Sequence, residues 1–124
     1  MASVNETTVH LPAQKIDVTL RVDYLDHVAV EQTLMEKLDS LGIRPSADGT
    51  VEIPFSYGVT KKSAILRSVP KEWTWKNPDG SNVPLNETTI NRLPITDVKV
   101  LVTACSSLYD TVSASLRNAE DPKD

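Results

Sequence analysis

Hydrophobic and polar positions alternate without a break from residue 16 to residue 24. Ile16, Val18, Leu20, Val22 and Tyr24 stand against Asp17, Thr19, Arg21 and Asp23. Successive side chains of a strand point to opposite faces, so this run predicts a half-buried β-strand with one apolar face. Val51, Ile53 and Phe55 alternate in the same way after the turn signal Asp48-Gly49, and Pro54 places that strand at a sheet edge. A further strand opens at Trp73-Thr74-Trp75, which sets two indoles on one face. Asn77-Pro78-Asp79-Gly80 is a tight-turn sequence, and Ser81 to Leu85 returns with Val83 and Leu85 sharing a face. Lys61 to Val69 fits either a strand or two helical turns. Pro70 disfavours the α conformation at Val69 and so favours the strand.

The spacing changes from two to three and four elsewhere. Val30, Leu34, Leu38 and Leu41 fall on one helical face, with Asp26 as the cap and Gly42 as the left-handed residue that ends the helix. Asn86 caps a short piece from Glu87 to Leu93, which Pro94 terminates. Thr96 then caps the longest helix, Asp97 to Leu116, with Ile95 and Val100 placed for a hydrophobic staple. Its seam runs through Val98, Leu101, Cys105, Leu108 and Val112 and is widened by Val102, Tyr109 and Leu116. Two uses of that stripe stay open: packing against the chain's own sheet, or contact with a second copy or a partner. Together these elements predict an α+β fold, a small and mostly antiparallel sheet with two main helices packed on one face.

The ends read differently. Residues 1 to about 7 are small and polar, and Val9 and Leu11 alternate with polar neighbours before Pro12. That pattern fits a short edge strand or an extended arm. Residues 1–12 are therefore expected as an arm that a neighbour receives by strand addition. Residues 13–117 form a single α+β domain, of which 73–117 are a Trp hairpin plus C-terminal helix. Residues 118–124 are charged, contain Pro122 and are expected to fray.

Composition narrows the function classes. A length of 124 residues with 40% hydrophobic and 24% charged positions suits one soluble globular domain with its own core. A net charge of −4 with both signs interspersed argues against a nucleic-acid footprint. Cys105 is the only cysteine and falls on the apolar face of the last helix, where it reads as a small buried hydrophobe. The first residues carry no basic n-region and no long apolar run, and nothing approaches a membrane span. The expected location is a bacterial host cytoplasm or a virion assembled there.

Catalytic constellations are absent from the pattern. His10 and His27 have no partners at metal-ligand spacing, and Asp23 and Asp26 read as helix caps rather than a carboxylate pair. Asp79 sits in an Asp-Gly turn without the further acidic ligands of a calcium loop. No phosphate-binding glycine motif and no nucleophile elbow occur. The chain is accordingly expected to be non-enzymatic, with no cofactor, metal or small-molecule substrate. Tryptophan is enriched in interface hot spots, which makes Trp73 and Trp75 candidates beside their role as core. The candidate interface residues are Val9, Leu11, Trp73, Trp75, Val102, Tyr109 and Leu116.

The series Trp73-Thr74-Trp75, Asp79-Gly80 and Val83-Pro84-Leu85, followed by a helix bearing Val98, Val102, Leu108-Tyr109 and Leu116, is similar to a small module near the C-terminus of tailed-bacteriophage tail and tail-fibre assembly proteins. Pro94 splits the helical part here, and a Val/Ser/Thr-rich helix replaces that family's Ala-rich one. The resemblance covers residues 73–116 and implies a virion structural or tail-assembly role, with self-association or other virion proteins as partners. A small phage-encoded inhibitor that binds a host defence protein is the alternative.

Overall fold

The computed structural model describes residues 5–42 and 54–120. The alternating run becomes β2 (Ile16–Arg21), whose Ile16, Val18 and Leu20 are buried while Asp17 is exposed. It is the middle strand of a three-stranded antiparallel sheet, between β1 (Glu6–Leu11) and β3 (Pro70–Trp73). Val9 lies opposite Val18 and Leu11 opposite Ile16, so their side chains share the apolar face. Glu6, Thr8 and His10 stand over Arg21, Thr19 and Asp17 on the other face, which is polar. An antiparallel sheet with one face toward water needs this division.

Residues 6–11 are thus no free arm. They pair within the chain because Val9 and Leu11 complete the apolar face of β2, and Leu11 is fully buried. The Trp-bearing segment follows β3 and closes on itself. Thr74 N–H donates to Asp17 O at 3.0 Å, Val83 N–H donates to Trp75 O at 3.0 Å, and Trp73 Nε1–H donates to Val83 O at 2.7 Å. Beyond the turn the return strand is reduced to a single bridge between Lys76 and Asn82. Gly80 takes φ +90° there, and the Asp79 carboxylate accepts from both Ser81 N–H and Ser81 Oγ, which holds its pKa below the usual carboxylate value.

Among the described residues, four helices accompany the sheet: α1 (Tyr24–Leu41), α2 (Phe55–Ser68), α3 (Glu87–Ile90) and α4 (Ile95–Glu120). Asp23 rather than Asp26 caps α1. Asp26 serves as the return half of the capping box, accepting Asp23 N–H at 2.9 Å, and Gly42 ends the helix at φ +67°. Asn86 caps α3 as expected, its Oδ1 accepting Thr89 N–H at 3.0 Å.

Three expectations change here. Val51 and Ile53 lie outside the described residues, and Phe55, expected in a strand, begins α2. The stretch 61–69 is helix rather than strand: Ala64, Ile65 and Val69 are buried at helical spacing, and Val69 stays α-helical (φ −84°, ψ −44°) despite the following Pro70. Burial of Ile65 and Val69 in the core outweighs the modest steric preference that proline exerts on its predecessor. The tail expected to fray from 118 continues α4 through Glu120.

The core lies between the apolar sheet face and the helices. Leu101, Cys105, Leu108, Tyr109 and Val112 of α4 pack with Leu11, Val18 and Leu20, and Val30, Leu34, Ala64 and Ile65 join them from α1 and α2. The chain's own sheet therefore takes the centre of the α4 stripe. Ile95 is 77% exposed, so the staple with Val100 does not form. Asp97 does more than favour the helix start: fully buried, it accepts Ala13 N–H at 3.0 Å and Gln14 N–H at 2.7 Å and ties the β1–β2 turn to α4.

Candidate functional site: the outer face of helix α1

Helix α1 is apolar on two sides. Val30 and Leu34 point into the core, whereas Tyr24, Leu25, Val28 and Met35 are exposed, Leu25 to 77% and Met35 to 66%. At about 100° per residue these four fall within an arc of roughly 100°, a ridge on one side of the helix that the exposed Gln32 interrupts between Val28 and Met35. Beside it lies an open hollow of about 290 Å³, lined by Tyr24, Val28, Met35 and the half-buried Leu116 of α4, with His27 and Glu31 at its wall.

Two contacts hold the ridge in place. At the N-terminus, Lys71 Nζ meets Asp26 Oδ2 at 2.7 Å, a half-buried ion pair joining α1 to β3. One turn on, Tyr109 Oη donates to Glu31 Oε1 at 2.7 Å while the His27 ring stacks on Tyr109, centroids 5.3 Å apart. His27 Nε2 lies 3.5 Å from the same Glu31 oxygen. Burial, with the Glu31 carboxylate beside it, pushes the Tyr109 phenol pKa well above its ordinary value. This trio clamps α1 to α4; it contains no nucleophile aligned with a base. Among the described residues, no group of three His, Cys, Asp or Glu is placed to hold a metal ion, and no helix is long and apolar enough to cross a membrane.

The residues singled out from sequence do not form one surface. Leu11 and Tyr109 are core, at 0% and 2% exposure. Tyr109 in particular is a buried strut instead of an exposed anchor. Trp73 and Trp75 are half-buried and meet edge to face at 5.1 Å, with the Arg92 guanidinium 6.0 Å from the Trp75 ring. They consolidate the hairpin. Val9 and Val102 are half-buried, and only Leu116 reaches the hollow beside α1. The ridge carried its own signal: Leu25, Val28 and Met35 repeat at helical spacing outside the Val30–Leu34 stripe. It is masked when Tyr24 is assigned to the preceding strand.

A second concavity of about 260 Å³ lies between α2 and α3, where Val59, Leu66 and Ile90 are flanked by Lys62, Arg67 and Glu87. No family model matches the chain, and neither do the curated proteins or the solved structures compared with it.

Proposed function

We propose that this protein works by protein–protein contact, as a non-enzymatic structural or assembly component of a tailed-phage particle, and that the ridge on α1 is the face it offers. The observation that carries this reading is the exposure of Tyr24, Leu25, Val28 and Met35 on one side of one helix. Exposed apolar side chains gathered on one face mark an interaction site more often than isolated ones do. Tyrosine and methionine at its two ends also suit interface composition. The likeness of residues 73–116 to tail and tail-fibre assembly modules supplies the particle as the setting.

The test pairs wild type with the double variant Leu25→Glu, Met35→Glu. Both sites are exposed, so circular dichroism should show an unchanged fold. Co-expressed with the neighbouring genes of its own locus, the wild-type chain should sediment with assembled particles or an assembly intermediate, and the variant should remain in the free fraction. A wild-type chain found in no assembled species, or found only in a soluble complex with one host protein, overturns the reading.

A further inference from the structure

Among the described residues, β1 and β3 form the two edges of the sheet, and they are built differently. Strand β3 is four residues long, begins with Pro70, carries Lys71, and meets β2 across a register shift at Thr19/Leu20. Short length, proline, lysine and irregular register are the devices that stop an edge from pairing with another chain. Strand β1 has none of them. It runs for six residues, Glu-Thr-Thr-Val-His-Leu, in unbroken register with β2.

The register also shows which backbone groups β1 leaves open. Val22 N–H donates to Asn5 O at 2.9 Å, so the odd residues of β1 bond inward to the even residues of β2. The odd residues of β2 turn the other way, toward β3, as Arg21 N–H to Val69 O at 3.0 Å shows. Glu6, Thr8 and His10 therefore aim their N–H and C=O groups out of the sheet edge. Their side chains are exposed on the polar face.

We propose that β1 pairs with β1 of a second copy, antiparallel about a two-fold axis at Thr8, to make one six-stranded sheet across a dimer. In that register Thr8 faces Thr8 of the second copy, and Glu6 faces its His10 on either side. All three are pairs whose backbone groups point at each other, so each exchanges two main-chain hydrogen bonds. The side chains agree with the backbone. Within one chain His10 Nδ1 lies 2.8 Å from Asp17 Oδ1 and Arg21 lies 3.6 Å from Glu6. Placing Glu6 opposite His10 sets a second carboxylate beside that imidazole, an arrangement that forms an opposite-charge pair across the strands when the imidazole is protonated. On the apolar side Val9, half-buried in the single chain, comes to face Thr7 of the second copy and loses further surface to water. A one-residue slip would set inward-bonding residues at the edge and lose this pairing. The contact lies on β1 and is independent of the α1 ridge.

The full chain tests this directly. Light scattering across a concentration series should move the mass toward twice 13.6 kDa. Thr8→Pro removes an outward N–H, leaves the ladder to β2 intact, and should keep the monomer fold while abolishing the dimer. Thr8→Cys places two thiols across the axis, within disulfide reach of an antiparallel pair, and should give a cross-linked dimer on mild oxidation. Thr7→Cys, which faces Val9 of the second copy, should dimerise as wild type does but without a cross-link; Cys105 is buried and does not compete. The Leu25→Glu, Met35→Glu variant should dimerise as wild type does, which separates this contact from the ridge. A wild-type chain that remains monomeric at every concentration overturns the proposal, and so does Thr7→Cys cross-linking as fast as Thr8→Cys.

Discussion

The phenol of Tyr109 and the carboxylate of Glu31 stand 78 residues apart in the chain and 2.7 Å apart in space. Their bond is the polar tie between α1 and α4, in the wall of an otherwise apolar contact. Tyr109→Phe keeps the ring and its stacking on His27 but removes the donor, and should cost about 1.5–3 kcal/mol, the range for a bond to a charged acceptor. The sign of its pH dependence follows from the raised phenol pKa. The unfolded chain loses this proton near pH 10 while the folded chain holds it, so the stabilisation is complete below pH 10 and declines as pH rises further. Denaturant titrations from pH 8 to 11 should show wild type weakening more steeply than Tyr109→Phe above pH 10. Parallel curves would mean that the phenol is solvated in the fold. The double substitution Val102→Ser, Tyr109→Ser should unfold the monomer, because Tyr109 is core.

Asp97 makes a stronger claim. It is the one carboxylate among the described residues that is fully buried, and it accepts two backbone N–H bonds from the β1–β2 turn at the first turn of α4. Acidic groups are favoured there by the helix dipole, and the two donors satisfy most of what the charge loses in leaving water. Asp97→Ala strands both N–H groups and releases β1 from α4. A loss of about 3 kcal/mol is expected, near the top of the range for such bonds, and urea melts would read it as a lower midpoint with little change in slope. A shift below about 0.5 kcal/mol would show that water replaces the carboxylate at no cost.

Legibility followed the period of the pattern. The alternation over 16–24 and the three-four spacing of α4 are long, regular and one-faced, and both elements form, though the strand stops at Arg21 with Tyr24 passing into α1, and α4 runs from Ile95 to Glu120 rather than from Asp97 to Leu116. The α+β class followed from the same two signals. Residues 61–69 were illegible because Ala64, Ile65 and Leu66 are consecutive apolar positions that suit either period, and a local rule about proline was set against tertiary burial that no short window contains. Residues 6–11 take the first of their two readings, a short edge strand, and not the arm, because Val9 and Leu11 gain their value from β2 opposite them. The candidate interface fared worst. Seam and flank of α4 look alike in sequence, and the depth of Tyr109 depends on α1 lying over it. The exposed ridge belongs to α1, whose inward stripe of Val30 and Leu34 draws the eye away from Leu25, Val28 and Met35.

Cys105 lies at 0% exposure in the middle of α4, and burial pushes its thiol pKa up to about 12. Only the thiolate reacts with disulfide reagents, so a thiol held protonated and out of reach should be inert in the native protein. Ellman's reagent at pH 8 should therefore modify the native chain only as fast as the chain opens, and the urea-unfolded chain within seconds to minutes. Immediate modification of native protein would place the thiol at the surface. The linkage has the same sign as that of Tyr109 but begins earlier: an unfolded cysteine ionises near pH 8.5, so its share of stability starts to fall there and continues to fall toward pH 12.

The last prediction concerns the division of the sheet into two faces. Leu20 and Thr19 are adjacent, yet Leu20 is fully buried against the helices whereas Thr19 stands on the polar face between Thr8 and Glu72. A carboxylate at position 20 would sit among Val18, Val22 and the α4 stripe with no cation to pair with, and burying an unpaired charge is among the most destabilising single changes known. Leu20→Asp should therefore leave little folded protein. Leu20→Ala, which removes volume but adds no charge, should cost about 2–5 kcal/mol. Thr19→Asp changes a side chain that water already reaches and should stay within about 1 kcal/mol, its cost set by Glu72 alongside on β3. Thermal melts of the three variants order them directly: Leu20→Asp lowest, Leu20→Ala between, Thr19→Asp near wild type. Equal shifts at positions 19 and 20 would mean that both faces of β2 are covered, and the open polar face from Glu6 to Glu72 would then be wrong.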